Sequence, residues 1–142
     1  MKYLIKTSKL SILTIILLIA SQSSAQPDIV WQRFYGGGDN QSFYASVMMD
    51  NGDLAFTGNS HNSSVYFVMT NAGGEILTEN RYELEDDFSR WGNALTPTDE
   101  NGFVIGGCWN HRDNRFGAMR INARGEVLWD RIYSENDGSV CM

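Results

Sequence analysis

Two histidines, two cysteines, four tryptophans and 17 acidic residues are the side chains with which this 142-residue chain could do chemistry. His61 and His111 each stand without a Cys or His cluster nearby. A zinc site needs three or four ligands at short, fixed spacing, so both histidines read as solvent-exposed loop residues. Glu83, Glu85, Asp86 and Asp87 offer the oxygen ligands that calcium takes. They lack the Asp-x-Asp-x-Asp-Gly spacing of a calcium loop, and a run of like charges is ordinarily a solvated face. A carboxylate pair for glycoside hydrolysis would have to be chosen from 17 acids with no motif to guide the choice. Gly-x-Ser-x-Gly, His-Glu-x-x-His and phosphate-loop signatures are absent, and Gly36-Gly37-Gly38 is a turn because no helical pattern follows it. The chain therefore reads as a non-enzyme, with no catalytic residues, no metal site and no cofactor. Trp91 and Trp109 are the candidate ligand-binding residues, since an indole face stacks on a pyranose ring. Structural packing is the competing use for them, and the stronger one for the tryptophans as a set. Cys108 and Cys141 read as a half-buried thiol and an incidental one, although an oxidising compartment would permit them to pair. Asn40-Gln-Ser42 and Asn62-Ser-Ser64 are formal glycosylation triplets, which matter only in a host that reads them.

The chain opens with Lys2, Lys6 and Lys9, followed by the apolar run from Leu10 to Ala20 and then Ser21-Gln-Ser-Ser-Ala25. This order of basic, apolar and small residues is that of a cleavable signal peptide over residues 1–25, with Ser23 and Ala25 at the positions a signal peptidase accommodates and the cut after Ala25. The run is shorter than the roughly 20 residues that span a bilayer, so no stable membrane anchor is expected after cleavage. Localisation is read as secreted: periplasm, cell surface or extracellular. The three lysines all lie in this leader, so residues 26–142 carry 8 arginines against 17 acids, a formal charge of −9. Phosphate backbones and anionic lipid surfaces repel such a domain, which argues against nucleic acid and membrane as partners.

Self-similarity sets the architecture. The segment Asn71-Ala-Gly-Gly-Glu-Ile-Leu-Thr-Glu-Asn-Arg-Tyr82 lies over Asn122-Ala-Arg-Gly-Glu-Val-Leu-Trp-Asp-Arg-Ile-Tyr133, and its second half recurs as Val30-Trp-Gln-Arg-Phe-Tyr35. Trp31 and Trp129 are 98 residues apart, two periods of about 49. Asn51-Gly52 matches Asn101-Gly102, and Asp39, Asp86 and Asp137 follow Tyr35, Tyr82 and Tyr133 at equal distance. Short apolar runs broken by Gly, Asn and Asp predict four antiparallel strands per unit. They fall near residues 43–49, 54–59, 65–70 and 75–82, then near 91–96, 103–109, 116–121 and 126–133. Gly52 and Gly102 would serve the first hairpin of each unit, and Gly74 and Gly125 the last. The expected units are about 36–82 and 83–133, with a leading strand before them and the start of a third unit at 134–142.

Four strands per repeat of this length describe a β-propeller blade. The order Trp-x-x-x-Tyr, Asp, Asn-Gly and Asn-Ala-x-Gly-Glu-x-Leu-Trp resembles the blades of secreted bacterial β-propeller repeat proteins, the seven-bladed-propeller repeat group. Asn122-Ala-Arg-Gly-Glu-Val-Leu-Trp129 is similar to the blade-end motif of quinoprotein-like propellers. Asn71 and Asn122 stand where that motif carries an acid, and Thr78 replaces the Trp in the first unit, so no quinone site carries over. The resemblance implies an all-β partial propeller of about two blades. The function expected is that of a non-catalytic secreted or surface repeat module, binding protein or glycan as a fragment of a larger propeller. The alternatives are an oligomerising two-blade lectin and the remnant of a propeller hydrolase or lyase. Trp31, Trp129, Tyr35, Tyr82 and Tyr133 are the repeat's packing residues, with Trp129 set against a neighbouring blade so that its loss costs about 3 to 5 kcal/mol. Two blades do not close a ring, which needs at least about four, so self-association or additional blades are expected. Mass spectrometry of the exported product should find Gln26 at the amino terminus; a mature chain still beginning at Met1 would overturn the leader reading.

Overall fold

Alternating apolar and polar residues over runs of six to eight residues, punctuated by Asn, Asp and Gly, fold here as eight strands and no helix among the described residues. The computed structural model describes residues 28–38, 40–60, 64–83, 89–109 and 115–133. The chain divides at Val30 and Trp31, and all eight strands belong to the unit Trp31–Met142. The strands are β1 (Ser42–Met48), β2 (Leu54–Asn59), β3 (Val65–Thr70), β4 (Ile76–Tyr82), β5 (Arg90–Pro97), β6 (Phe103–Trp109), β7 (Arg115–Ile121) and β8 (Val127–Tyr133). They form two four-stranded antiparallel meanders, β1-β2-β3-β4 and β5-β6-β7-β8. The fold is all-β, two propeller-type blades, with strand positions within a residue or two of those read from the repeat.

Three details depart from the sequence reading. The leading segment Trp31–Tyr35 is not a strand: it joins no ladder and is held by side chains instead. The offset between units is 49 through the first two strands and 51 through the last two. The two added residues extend the second hairpin by one pair, Trp109 opposite Arg115. At the first hairpins, the Met49 amide bonds the Asp53 carbonyl and the Thr98 amide bonds the Gly102 carbonyl, so Gly52 corresponds to Asn101 and not to Gly102. Gly52 has φ of 86° and Asn101 has φ of 56°, both in the left-handed region that Gly and Asn tolerate best. Gly102 serves packing, because a Cβ there would run into the Ile121 carbonyl.

The core lies between the two sheets. Each blade has a front and a back, set by the alternation of its strands. The front of the first blade contributes Ala55, Val65 and Phe67, and the back of the second contributes Phe103, Ile105, Trp109, Met119 and Ile121, all fully buried. Phe67 and Phe103 pack with ring centroids 5.2 Å apart. Trp109 shows why the added pair matters. Its ring lies against Gly117, on the next strand, and its Nε1–H donates to Asp130 Oδ1 on β8 at 2.9 Å. Arg90 on β5 pairs with the same Asp130 carboxylate, and its guanidinium carbon stands 5.5 Å from the Trp109 ring centre. One buried indole thus joins β5, β6 and β8 across the width of the sheet. A Cβ at position 117 would overlap that indole. Gly117→Ala should therefore destabilise the chain by about 1 to 3 kcal/mol, the usual cost of overpacking, read as a lower urea midpoint with the slope unchanged.

Candidate interaction surface

The hairpins that end each blade are built by one asparagine apiece. Asn71 Oδ1 accepts from the Gly73 and Glu75 amides at 3.0 and 2.9 Å, and Asn122 Oδ1 accepts from the Arg124 and Glu126 amides at 2.9 and 3.0 Å. Their Nδ2 groups donate to the Glu75 and Glu126 carboxylates at 2.9 and 2.6 Å. An acid in place of either Asn would still accept the amides but would face Glu75 or Glu126 as a like charge. Gly74 and Gly125, both with φ of 76°, close the turns and leave the carbonyls at the hairpin tips pointing outward.

Those carbonyls are contacted twice in the same manner. On the first hairpin, Trp31 Nε1 donates to Ala72 O at 2.9 Å, Arg33 Nε to Gly73 O at 3.2 Å and Tyr35 Oη to Gly74 O at 2.9 Å. On the second, Thr78 Oγ1 donates to Ala123 O at 3.4 Å, Asn80 Nδ2 reaches both Arg124 O at 3.5 Å and Gly125 O at 3.4 Å, and Tyr82 Oη donates to Gly125 O at 2.8 Å. Three alternate side chains of one segment grip three successive carbonyls of the next blade's hairpin. The recurring terminal tyrosines, Tyr35 and Tyr82, are thereby given a use: the phenol carries the shortest or equal-shortest bond of each set.

The third copy of this segment, Trp129-Asp-Arg-Ile-Tyr133, lies on the front of the second blade, where no described blade packs. Trp129 is half-buried beneath the Arg131 guanidinium, 5.9 Å from its ring centre. Tyr133 is 48% exposed and packs on Phe116, 49% exposed, at 5.8 Å between centroids. The expected packing of Trp129 against a neighbouring blade is not found within the described residues, and the expected cost of removing it falls accordingly, to about 1 kcal/mol for a half-buried ring.

The two tryptophans singled out for ligand binding do not share a surface. Trp109 is fully buried in the core, while Trp91, opposite Cys108 in the ladder, faces the other side of the sheet and is 36% exposed. Cys108 is buried; Cys141 lies outside the described residues, as do His61, His111, Asp39, Glu85, Asp86, Asp87 and Asp137. Among the described residues no cluster of three or more His, Cys, Asp or Glu could hold a metal, and no helix is long and apolar enough to cross a membrane. An open cleft of about 400 Å³ separates the β1–β2 and β5–β6 hairpins, lined by Met48, Asp50, Asn51, Pro97, Asp99 and Asn101 among others. A scan against protein-family models finds no match, and no curated protein is similar to the chain at a significant level.

Tyrosine protonation is tied to these contacts. Burial pushes the Tyr82 phenol up to about 12, with the Asn80 amide pulling in the opposite direction. Burial also raises Tyr66, reinforced by its hydrogen bond to Glu79 at 2.7 Å and by that carboxylate's charge, while Arg81 opposes. An unfolded chain releases both protons near the ordinary value of 10, whereas the fold retains them, so raising the pH favours the unfolded state. Stability should be level below about pH 10 and fall steadily toward about pH 12. Urea midpoints across this range should decline less steeply for Tyr82→Phe than for the parent chain.

Proposed function

We propose that this chain is a non-catalytic β-propeller repeat module, secreted or displayed at a surface, that works by binding protein or glycan rather than by turning over a substrate. The observation that carries the reading is the front of the second blade. There the half-buried Trp129 and the exposed Arg131, Tyr133 and Phe116 form an aromatic and cationic strip, on a sheet whose opposite face is packed into the core. Exposed aromatic rings beside an arginine are the composition of binding surfaces, supplying contact area at low conformational cost. Their backbone positions on β7 and β8 are set by the ladder and by the Trp109–Asp130–Arg90 brace behind them, which lowers the ordering cost of binding. The leader, the acidic charge and the propeller-like repeat support the same compartment and class.

Residues 26–142, purified and incubated with a panel of polysaccharides, should release no product, and any turnover by this chain alone would overturn the non-catalytic reading. On a glycan array, any sugar the chain retains should be lost roughly tenfold or more in Trp129→Ala, as expected for a central aromatic anchor. Retention unchanged by that substitution would move the binding surface elsewhere.

A further inference from the structure

The side chains Trp31, Arg33 and Tyr35 and the side chains Trp129, Arg131 and Tyr133 are the same three residues at the same alternate spacing. The first set is seated on the Ala72–Gly73–Gly74 carbonyls; the second set, a half-buried Trp129 with an exposed Arg131 and Tyr133, lies on the front of the second blade with no blade packed over it among the described residues. We propose that the second set docks on the Ala72–Gly74 hairpin of another copy of this chain, displacing that copy's own Trp31–Tyr35 segment. The inference rests on the binding-module reading and names the partner of its open face.

Exchange of like for like explains how a seated segment can be displaced. The incoming Trp129 indole, Arg131 guanidinium and Tyr133 phenol offer Ala72, Gly73 and Gly74 the donors that they already accept, so the hydrogen bonds at the hairpin are conserved. The gain lies in what each segment brings with it. Trp31–Tyr35 joins no ladder, and two of its three bonds to the hairpin are solvent-exposed. β8 arrives as the edge of a four-stranded sheet, with Phe116 beside it. The chain already contains the contact in that complete form: β4, itself the edge of a sheet, seats Thr78, Asn80 and Tyr82 on the second hairpin while its blade buries Phe67 against Phe103. On the receiving side Tyr35 packs at a tilt beside Phe56, with centroids 6.0 Å apart, so removing the segment uncovers an aromatic surface for the incoming blade. The contact is head-to-tail, because donor and acceptor lie on different blades, and it repeats from copy to copy.

The two tryptophans are therefore predicted to act in opposite directions. Light scattering after size exclusion, run on residues 26–142 over a concentration series, should show reversible association. Trp129→Ala and, separately, Tyr133→Phe should weaken it, the former roughly tenfold, with far-ultraviolet circular dichroism unchanged. Trp31→Ala should strengthen it several-fold, because emptying the seat raises the fraction of hairpins competent to receive a partner. Association that Trp31→Ala and Trp129→Ala alter in the same direction, or that neither alters, would overturn the exchange. A strict monomer at all concentrations would overturn it too. If such a monomer still bound an array glycan through Trp129, the docking proposal would fail while the binding-module reading stood.

Discussion

Hydrogen bonding from alternate side chains of the segment before a blade, Trp31–Tyr35 or β4, to the outward carbonyls of that blade's last hairpin is the contact on which this structure is built. A hairpin tip leaves carbonyl oxygens without ladder partners, and leaving such groups unsatisfied at a packed junction is costly. Tyr82 meets this need at Gly125, and Tyr35 meets it at Gly74. The geometry is possible only because Asn71 and Asn122 fix the hairpins from within and because glycine occupies the left-handed position of each. The same junction sets the sheet-to-sheet approach that buries Phe67, Phe103, Ile105 and Met119.

The second blade meets a different demand. Its back face must be flat enough to receive the first blade, yet it carries an indole and a buried arginine. The indole is accommodated by a glycine, since Gly117 vacates the space that the Trp109 ring occupies. Asp130 then accepts from both Trp109 and Arg90, so the arginine charge is compensated where it is removed from water. The first blade uses other residues for a comparable link, with Tyr66 donating to Glu79 and Arg81 lying 5.2 Å from the Tyr66 ring centre. Repeats that align closely in sequence thus differ in how each sheet is braced.

The strands, their order and the hairpins at Asn71 and Asn122 were legible because a repeat supplies each signal twice. The finer register was not. Asn51-Gly52 and Asn101-Gly102 look equivalent as dipeptides, yet the backbone aligns Gly52 with Asn101, since either residue tolerates a positive φ and the choice is made by the surrounding ladder. Residue type offers Trp109 both as a ligand-stacking candidate and, more strongly, as a packing residue; its burial follows from the longer second hairpin and from Gly117, a relation between strands that spacing along the chain does not reveal. Trp129 illustrates the converse. Its place in the repeat marks a packing residue, while the structure leaves it half-buried beneath Arg131 on the front of the second blade.

Native-state hydrogen exchange tests most directly whether the junction makes the two sheets one cooperative body. The slowest amides of β2 and β3 and those of β6 and β7 should open with the same free energy, equal to that of global unfolding, because neither sheet keeps its core without the other. Two separate opening energies, with β1–β4 exchanging well before β5–β8 or the reverse, would contradict it.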